Sequence, residues 1–271
     1  MIKILKRGFT YAIAIIGVLF TFIPEDMFAV IKLLPEKAAN VNIVVNRVIT
    51  FGIIFILACF GYFLYLKLRK RVVIKGKNYR IRIRYDNIFA LNKYKKVIPF
   101  DECFTTQVGD AIADINPSSL CGQYLSNHPI DNMMQLIETA GLVPLKRKSS
   151  FNKKDCYESG RLIQRDDYLL MAFTRLDSKG AGVMSRAEYL QALSVLWEEL
   201  DLYSGQNNIC IPIIGSGVTR IGDNELTQQE LLDMIIWSYK LSSHKIKSPR
   251  KLRIICRRDE DFSLDKIDSQ A

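Results

Sequence analysis

Apolar residues are spread unevenly along this chain. Two runs, Gly8 to Pro24 and Val48 to Leu66, carry no charged side chain, while the sequence after Val72 alternates short apolar stretches with polar ones. In the second run, Phe51-Gly52-Ile53-Ile54-Phe55-Ile56-Leu57-Ala58-Cys59-Phe60 is apolar on every helical face. A helix on the surface of a soluble domain would keep a polar stripe. At about 1.5 Å of rise per residue the two runs reach roughly 25 to 29 Å, close to the roughly 30 Å hydrocarbon core of a bilayer. The pattern predicts a transmembrane helical hairpin over residues 1–72 and a soluble domain over 73–271.

The flanks orient the hairpin. Tyr62 and Tyr65 close the second run and Lys67, Arg69, Lys70 and Arg71 follow it, an aromatic interface ahead of a cationic stop on the cytoplasmic side. The first run follows Lys3, Lys6 and Arg7, so it reads either as a transmembrane helix or as the start of a secretory signal. Met27-Phe28-Ala29 is a poor cleavage site, and the uncleaved hairpin is the reading adopted, with both termini cytoplasmic in a multi-pass protein of the bacterial inner membrane. In the connecting segment, Phe28-Ala29-Val30-Ile31 and Leu33-Leu34 are suited to the outer interface.

Beyond Val72 the alternation predicts a layered α/β domain. Expected strands are Tyr79 to Tyr85, Lys96 to Phe100, Tyr168 to Leu176, Ile209 to Ile214 and Leu252 to Arg257. The fourth is apolar without alternation, as expected of a central strand buried on both faces, although Pro212 fits only near a strand start or a bulge. Ser185-Arg186-Ala187-Glu188 and Thr227-Gln228-Gln229-Glu230 read as capping boxes. The first opens a stripe of Tyr189, Leu190, Leu193, Leu196, Trp197 and Leu200, the second one of Leu231, Leu232, Ile235, Ile236 and Tyr239. Residues Lys146 to Gly160, rich in Lys and Ser, read as an exposed loop.

The formal net charge of +10 changes this picture little, because much of the excess lies between Lys67 and Arg84, beside the membrane. Anionic membrane lipid is the simpler partner, and a basic stretch without a nucleic-acid motif carries little weight for DNA or RNA. The six cysteines, Cys59, Cys103, Cys121, Cys156, Cys210 and Cys256, have no metal-ligand spacing and read as free, mostly buried thiols. With His128 and His244 the only histidines, neither a histidine triad nor a zinc site is expected.

Two loops go beyond a generic domain. Gly215-Ser216-Gly217-Val218-Thr219-Arg220-Ile221-Gly222 follows the apolar strand, where glycine lets backbone amides approach an anion at the carboxyl end of a strand. Ser216 and Thr219 offer hydroxyl donors and Arg220 a countercharge. A plain tight turn accounts for the same residues, which match neither a Walker A loop nor a dinucleotide fingerprint. The second loop, Asp110 to Gln123, presents Asn116, Ser118, Ser119 and Gly122 ahead of a helix, and reads equally as an Asn-Pro turn with a serine cap.

These segments, with Tyr85-Asp86-Asn87-Ile88 and Ile98-Pro99-Phe100-Asp101-Glu102, resemble the macro domain, specifically the divergent macro domain of membrane-anchored ThsA effectors from bacterial Thoeris anti-phage systems. The resemblance covers Val73 to about Arg258 and extends to the preceding hairpin. It implies a three-layer α/β/α fold with a mixed sheet that binds ADP-ribose. By the same resemblance Asp86 faces the adenine amino group, Gly215 to Thr219 wraps the diphosphate and distal ribose, and Asn116 to Gly122 forms the opposing wall. Asp101 belongs to the ligand-binding set. The ligand it implies is a signal made from NAD by a TIR-domain partner enzyme, ADP-ribose joined to histidine in this branch, and no cofactor. Occupancy then leads to membrane disruption and abortive infection.

The Asn-Ala-Ala-Asn segment and the run of glycines of catalytic macro domains are both missing, which points away from hydrolysis. The competing readings are a membrane-tethered ADP-ribosyl hydrolase, with Asp101 or Glu102 as general base, and a non-enzymatic membrane scaffold. Nothing polar enough to line a channel lies between Val48 and Leu66, so any pore needs several subunits or contributions from the short helix, and a homo-oligomer stays open.

Overall fold

The structure is a computed structural model describing residues 2–24, 27–28, 39–111, 114–203, 205, 207–217, 219–222, 226–259 and 262–269. It divides into two compact units, residues 1–69 and 70–271. The expected boundary at 72/73 falls inside the first strand of the second unit.

The first unit holds α1 (Ile2–Phe22) and α2 (Ala39–Leu68), both long and apolar enough to cross a membrane. They pack through small and aromatic side chains. A side chain on Gly8 would meet Cys59 Sγ at 2.3 Å, and Ala12 is fully buried. Phe9 meets the edges of Phe51 and Phe55 with ring centroids 6.0 and 6.3 Å apart. Val18, Phe22, Ile56, Leu57 and Phe60 point outward, the reverse of a water-soluble core. α2 begins nine residues before the apolar run, and its first turns bury Asn42 and Asn46. Asn46 Nδ2 donates to Phe28 O at 2.6 Å, and the Arg47 guanidinium lies 5.2 Å from the Phe20 ring centroid. Of the connecting segment, residues 25–26 and 29–38 lie outside the described residues, so its expected interfacial placement is not described.

The second unit is a mixed sheet between two helical layers. In chain order its elements are β1 (Arg71–Lys75), β2 (Arg80–Tyr85), β3 (Tyr94–Asp101), α3 (Leu120–Asn127), α4 (Met133–Thr139), β4 (Leu162–Arg165), β5 (Tyr168–Leu176) and β6 (Gly182–Met184). Then follow α5 (Arg186–Tyr203), β7 (Asn208–Pro212), β8 (Arg220–Ile221), α6 (Gln228–Leu241) and β9 (Leu252–Cys256). The strand order is β1-β2-β9-β7-β3-β5-β6-β8, with β4 paired to β5. Strands β2, β9, β7, β3 and β5 run parallel to one another; β1 is antiparallel to β2, β4 and β6 are antiparallel to β5, and β8 runs parallel to β6.

Period-two alternation assigns each strand's side chains to a layer. Val97, Leu169, Met171, Ile209, Ile211, Leu252 and Ile254 face α5 and α6, whereas Ile98, Phe100, Leu170 and Ala172 face α3 and α4. Both capping boxes are closed. Ser185 N donates to Glu188 at 2.7 Å and Glu188 N to Ser185 Oγ at 3.1 Å; Thr227 N donates to Glu230 at 2.8 Å and Glu230 N to Thr227 Oγ1 at 3.3 Å. These amides hold both glutamates below the ordinary carboxyl range.

Several expectations need correction. β7 stops at Pro212, so the proline ends the strand that it was expected to start or bulge. Leu190 lies outside the buried stripe of α5 and is exposed, while the stripe of α6 is buried throughout. The Lys146 to Gly160 segment is not a free loop. Ser149, Cys156 and Tyr157 are buried in it, and Tyr157 N and Gly160 N donate to Glu102 O and Ala172 O at 2.8 Å each.

Candidate functional site

Five parallel strands release their chain on the same edge of the sheet, and their carboxyl ends enclose a cleft of about 740 Å³. Such an edge is where open α/β sheets bind ligands, and the volume suits a nucleotide-sized molecule. β2 supplies Asp86 to Phe89, β3 supplies Pro99 to Asp101, and β5 supplies Phe173, Thr174 and Leu176. β7 supplies Pro212, Ile213, Gly215 to Gly217 and Thr219, and β9 supplies Ile255 and Arg257. The segment before α3 closes the opposite side with Gly109 to Ala111, Asp114 to Asn116, Ser118 and Ser119.

The glycine loop is a tight turn with an open face. Gly215 has φ +85°, and a Cβ there would meet Ile221 Cδ1 at 2.6 Å, so no other residue fits without rearrangement. Ser216 N and Oγ both donate to Ile213 O, at 3.2 and 2.7 Å, and Tyr189 Oη donates to Ile214 O at 2.9 Å. Gly217 differs, because a Cβ built on it meets nothing within 4 Å. The turn reading is met and leaves the ligand reading open: Gly215 and the Ser216 hydroxyl make the turn, and Gly217 leaves space beside the cleft.

The facing wall is stitched internally. Asn116 Oδ1 accepts from Ser118 N at 2.8 Å and Ser118 Oγ at 2.7 Å, and Ser119 Oγ caps α3 by accepting from Gly122 N at 3.0 Å. Gly122 is buried off the cleft, where a Cβ would meet Asn116 O at 2.2 Å; its role is packing rather than ligand contact.

The carboxylates are individually held. Asp86 receives Arg84 Nε at 3.0 Å and Asn87 N at 3.1 Å, with Arg253 Nη1 at 3.9 Å, and still borders the cleft. Asp101 accepts from Cys103 N at 2.8 Å and Thr105 N at 3.2 Å. Desolvation outweighs these amides and raises its carboxyl above the ordinary value. Glu102 is fully buried, off the cleft, and bound through both oxygens by Arg147.

Of the other expected site residues, Arg220 is exposed on β8 and does not border the cleft, and Val218 lies outside the described residues. Sequence reasoning missed Asn87 and Phe89, the Gly180 to Gly182 turn after β5, and Arg257. Arg257 was discoverable as the cation directly following a buried strand; the Gly180 turn had no signal beyond its glycines. The fold also joins Glu102, Cys103 and Cys156, whose ligand atoms lie within 4.8 Å of one another although spacing showed no cluster. Burial pushes both thiols upward, keeping them protonated, and Glu102 is already neutralised by Arg147.

Residues 81–257 match the family described as Thoeris protein ThsA, Macro domain. Over 268 residues the chain is 26% identical to the Thoeris protein ThsA of Bacillus amyloliquefaciens, an alignment covering 95% of this chain and 88% of that protein. Among solved structures, a macrodomain of Oceanobacillus iheyensis superposes with a TM-score of 0.43 at 11% identity, covering 73% of this chain and 95% of that one. The macrodomain of Thermus aquaticus DarG superposes with 0.37 at 13% identity, covering 66% of this chain and 98% of that one.

Proposed function

The chain belongs to the family of Thoeris ThsA macro domains, and from that premise we propose that it is a membrane-anchored anti-phage effector whose soluble domain senses an ADP-ribose-type nucleotide. The observation that carries this reading is the cleft at the carboxyl ends of β2, β9, β7, β3 and β5, with an open glycine position on one wall and a hydrogen-bonded Asn-Pro-Ser-Ser segment on the other. A diphosphate beside Gly217 is met by backbone amides, and Arg257 adds a cation at the rim. Asp86 is placed to accept from an exocyclic amine, and Phe89 offers an aromatic face for a base.

In this proposal the ligand is a signal, ADP-ribose joined to histidine, made by a TIR-domain partner enzyme, and no cofactor takes part. The hairpin crosses the inner membrane with the soluble domain cytoplasmic, as the cations at Lys67, Arg69, Lys70 and Arg71 favour. Ligand binding drives membrane disruption through different affinities for the resting and active states. The hydrolase reading gains nothing from the geometry, since Asp101 accepts backbone amides and Glu102 is tied to Arg147 away from the cleft.

The test uses the whole chain in liposomes with a membrane-potential dye. Collapse of the potential is expected only when the nucleotide is added, and Gly217→Val is expected to insert and stay silent. Collapse without nucleotide, equal in wild type and variant, would overturn the sensing role.

A further inference from the structure

The hairpin of β1 and β2 sorts its side chains by charge. Val72, Ile74, Ile81 and Ile83 are buried toward α5 and α6. The alternate positions place Arg71, Val73 and Lys75 of β1 beside Arg84, Arg82 and Arg80 of β2 on the other face. Arg71 stands directly opposite Arg84, and Lys75 opposite Arg80. Like charges paired across strands destabilise a sheet. Among the described residues, only Arg84 of these five cations has a carboxylate within ion-pair distance, Asp86 at 3.0 Å.

Protection of the sheet edge explains the cations of β1, which is the terminal strand. It does not explain those of β2, which is hydrogen-bonded on both sides, to β1 and β9. We propose that this uncovered face of β1 and β2, carrying Arg71, Lys75, Arg80, Arg82 and Arg84, is a docking surface for anionic lipid headgroups. The inference rests on the membrane reading of α2, which ends at Leu68 and leaves only Arg69 and Lys70 before β1. A link that short spans no more than about 11 Å, so the strand starts within reach of headgroups at the helix end. Nucleic acid is the poorer fit, because the face has no aromatic side chain on which a base would stack. A second copy of the same face would be repelled by its own charge.

The experiment compares full-length chain in nanodiscs of phosphatidylcholine alone with discs holding about a third phosphatidylglycerol, a fraction chosen to give a strongly anionic surface. Acylation of Lys75 by a water-soluble amine reagent is measured by mass spectrometry against the exposed Lys153 and Lys179 of the same molecules. Lys75 is expected to react at least about fivefold more slowly in anionic discs, the effect of one juxtamembrane cation near such a surface. About 1 M salt should abolish the difference. A triple variant, Arg71→Gln, Arg80→Gln and Arg82→Gln, should lose most of it, and if that variant misfolds the salt series on wild type decides. Equal reactivity of Lys75 in both discs overturns the proposal and leaves the nucleotide cleft untouched. RNA that protects Lys75 as well in neutral discs would reassign the face to nucleic acid. A chain that floats with neither kind of vesicle sinks the membrane reading, and this surface with it.

Discussion

The two walls of the cleft use the same residue for opposite purposes. Behind one wall, off the cleft itself, Gly122 is pressed against backbone, where a Cβ would lie 2.2 Å from Asn116 O, and the Asn116 and Ser119 side chains are engaged in the turn and the cap of α3. On the other, Gly215 is fixed by its φ of +85° and by Ile221, yet two residues later Gly217 faces open space. Glycine in a ligand loop is therefore not one observation. Where neighbouring atoms forbid a side chain it reports folding; an open position such as Gly217 carries functional weight only because it also borders the cleft, which the equally open Gly141 and Gly205 do not.

The largest effect expected from this contrast is on stability. Gly122→Val drives a side chain into backbone, and its cost should exceed about 3 kcal/mol, read as a lowered denaturation midpoint. Gly217→Val is the opposite case. Its melting temperature should stay within about 2 °C of wild type, a change under roughly 1 kcal/mol, while affinity for ADP-ribose falls about a hundredfold as the diphosphate loses its place. That corresponds to roughly 2.7 kcal/mol. If Gly122→Val folds normally and Gly217→Val melts early, the assignment of the two walls is reversed.

How much of this was legible in the sequence depended on the range of the interaction. β5 matches its expected bounds, Tyr168 to Leu176, and β7 was readable as central, because strands buried on both faces declare themselves by unbroken apolar runs. Both capping boxes are local and were readable for the same reason. β1 was missed, its five residues pairing only with β2, and so were β4, β6 and β8. These last three are short, and they exist because β5 and its flanks offer hydrogen-bonding edges. The Lys146 to Gly160 segment misled by composition: its lysines are surface residues, but Cys156 packs on Cys103 with sulfurs 3.8 Å apart and Arg147 neutralises Glu102. In the cleft the glycine loop and the Asn116 to Ser119 turn were visible as motifs. Phe89 and the Gly180 to Gly182 turn were not, since only the strand order brings them to the same edge.

Smaller effects sharpen the account. Asp86→Ala should weaken ADP-ribose binding by about 1 to 3 kcal/mol in calorimetry, the worth of a hydrogen bond to a charged group. An undiminished affinity would remove Asp86 from the base-recognition role. Ser185→Ala opens the capping box of α5, outside the cleft lining, and should cost about 1 kcal/mol of stability without changing affinity.

The smallest expected effect concerns pH. Because Asp101's carboxyl is raised in the folded chain, its contribution to stability is fully present below the ordinary aspartate value near 4 and is lost as pH rises through the folded value. Asp101→Asn cannot ionise, so its stability relative to wild type should improve between about pH 4 and 7. Thermal melts of the two proteins across that range read the difference directly, and a widening deficit for the variant would contradict the raised value.

The central claim is that the open glycine position marks a nucleotide site. Calorimetric titration of ADP-ribose into the full-length chain in nanodiscs, wild type beside Gly217→Val, tests it most directly. The account predicts saturable binding of one nucleotide per chain in wild type and its near disappearance in a variant that melts at the same temperature. No measurable binding to wild type, or equal binding to both, would contradict it.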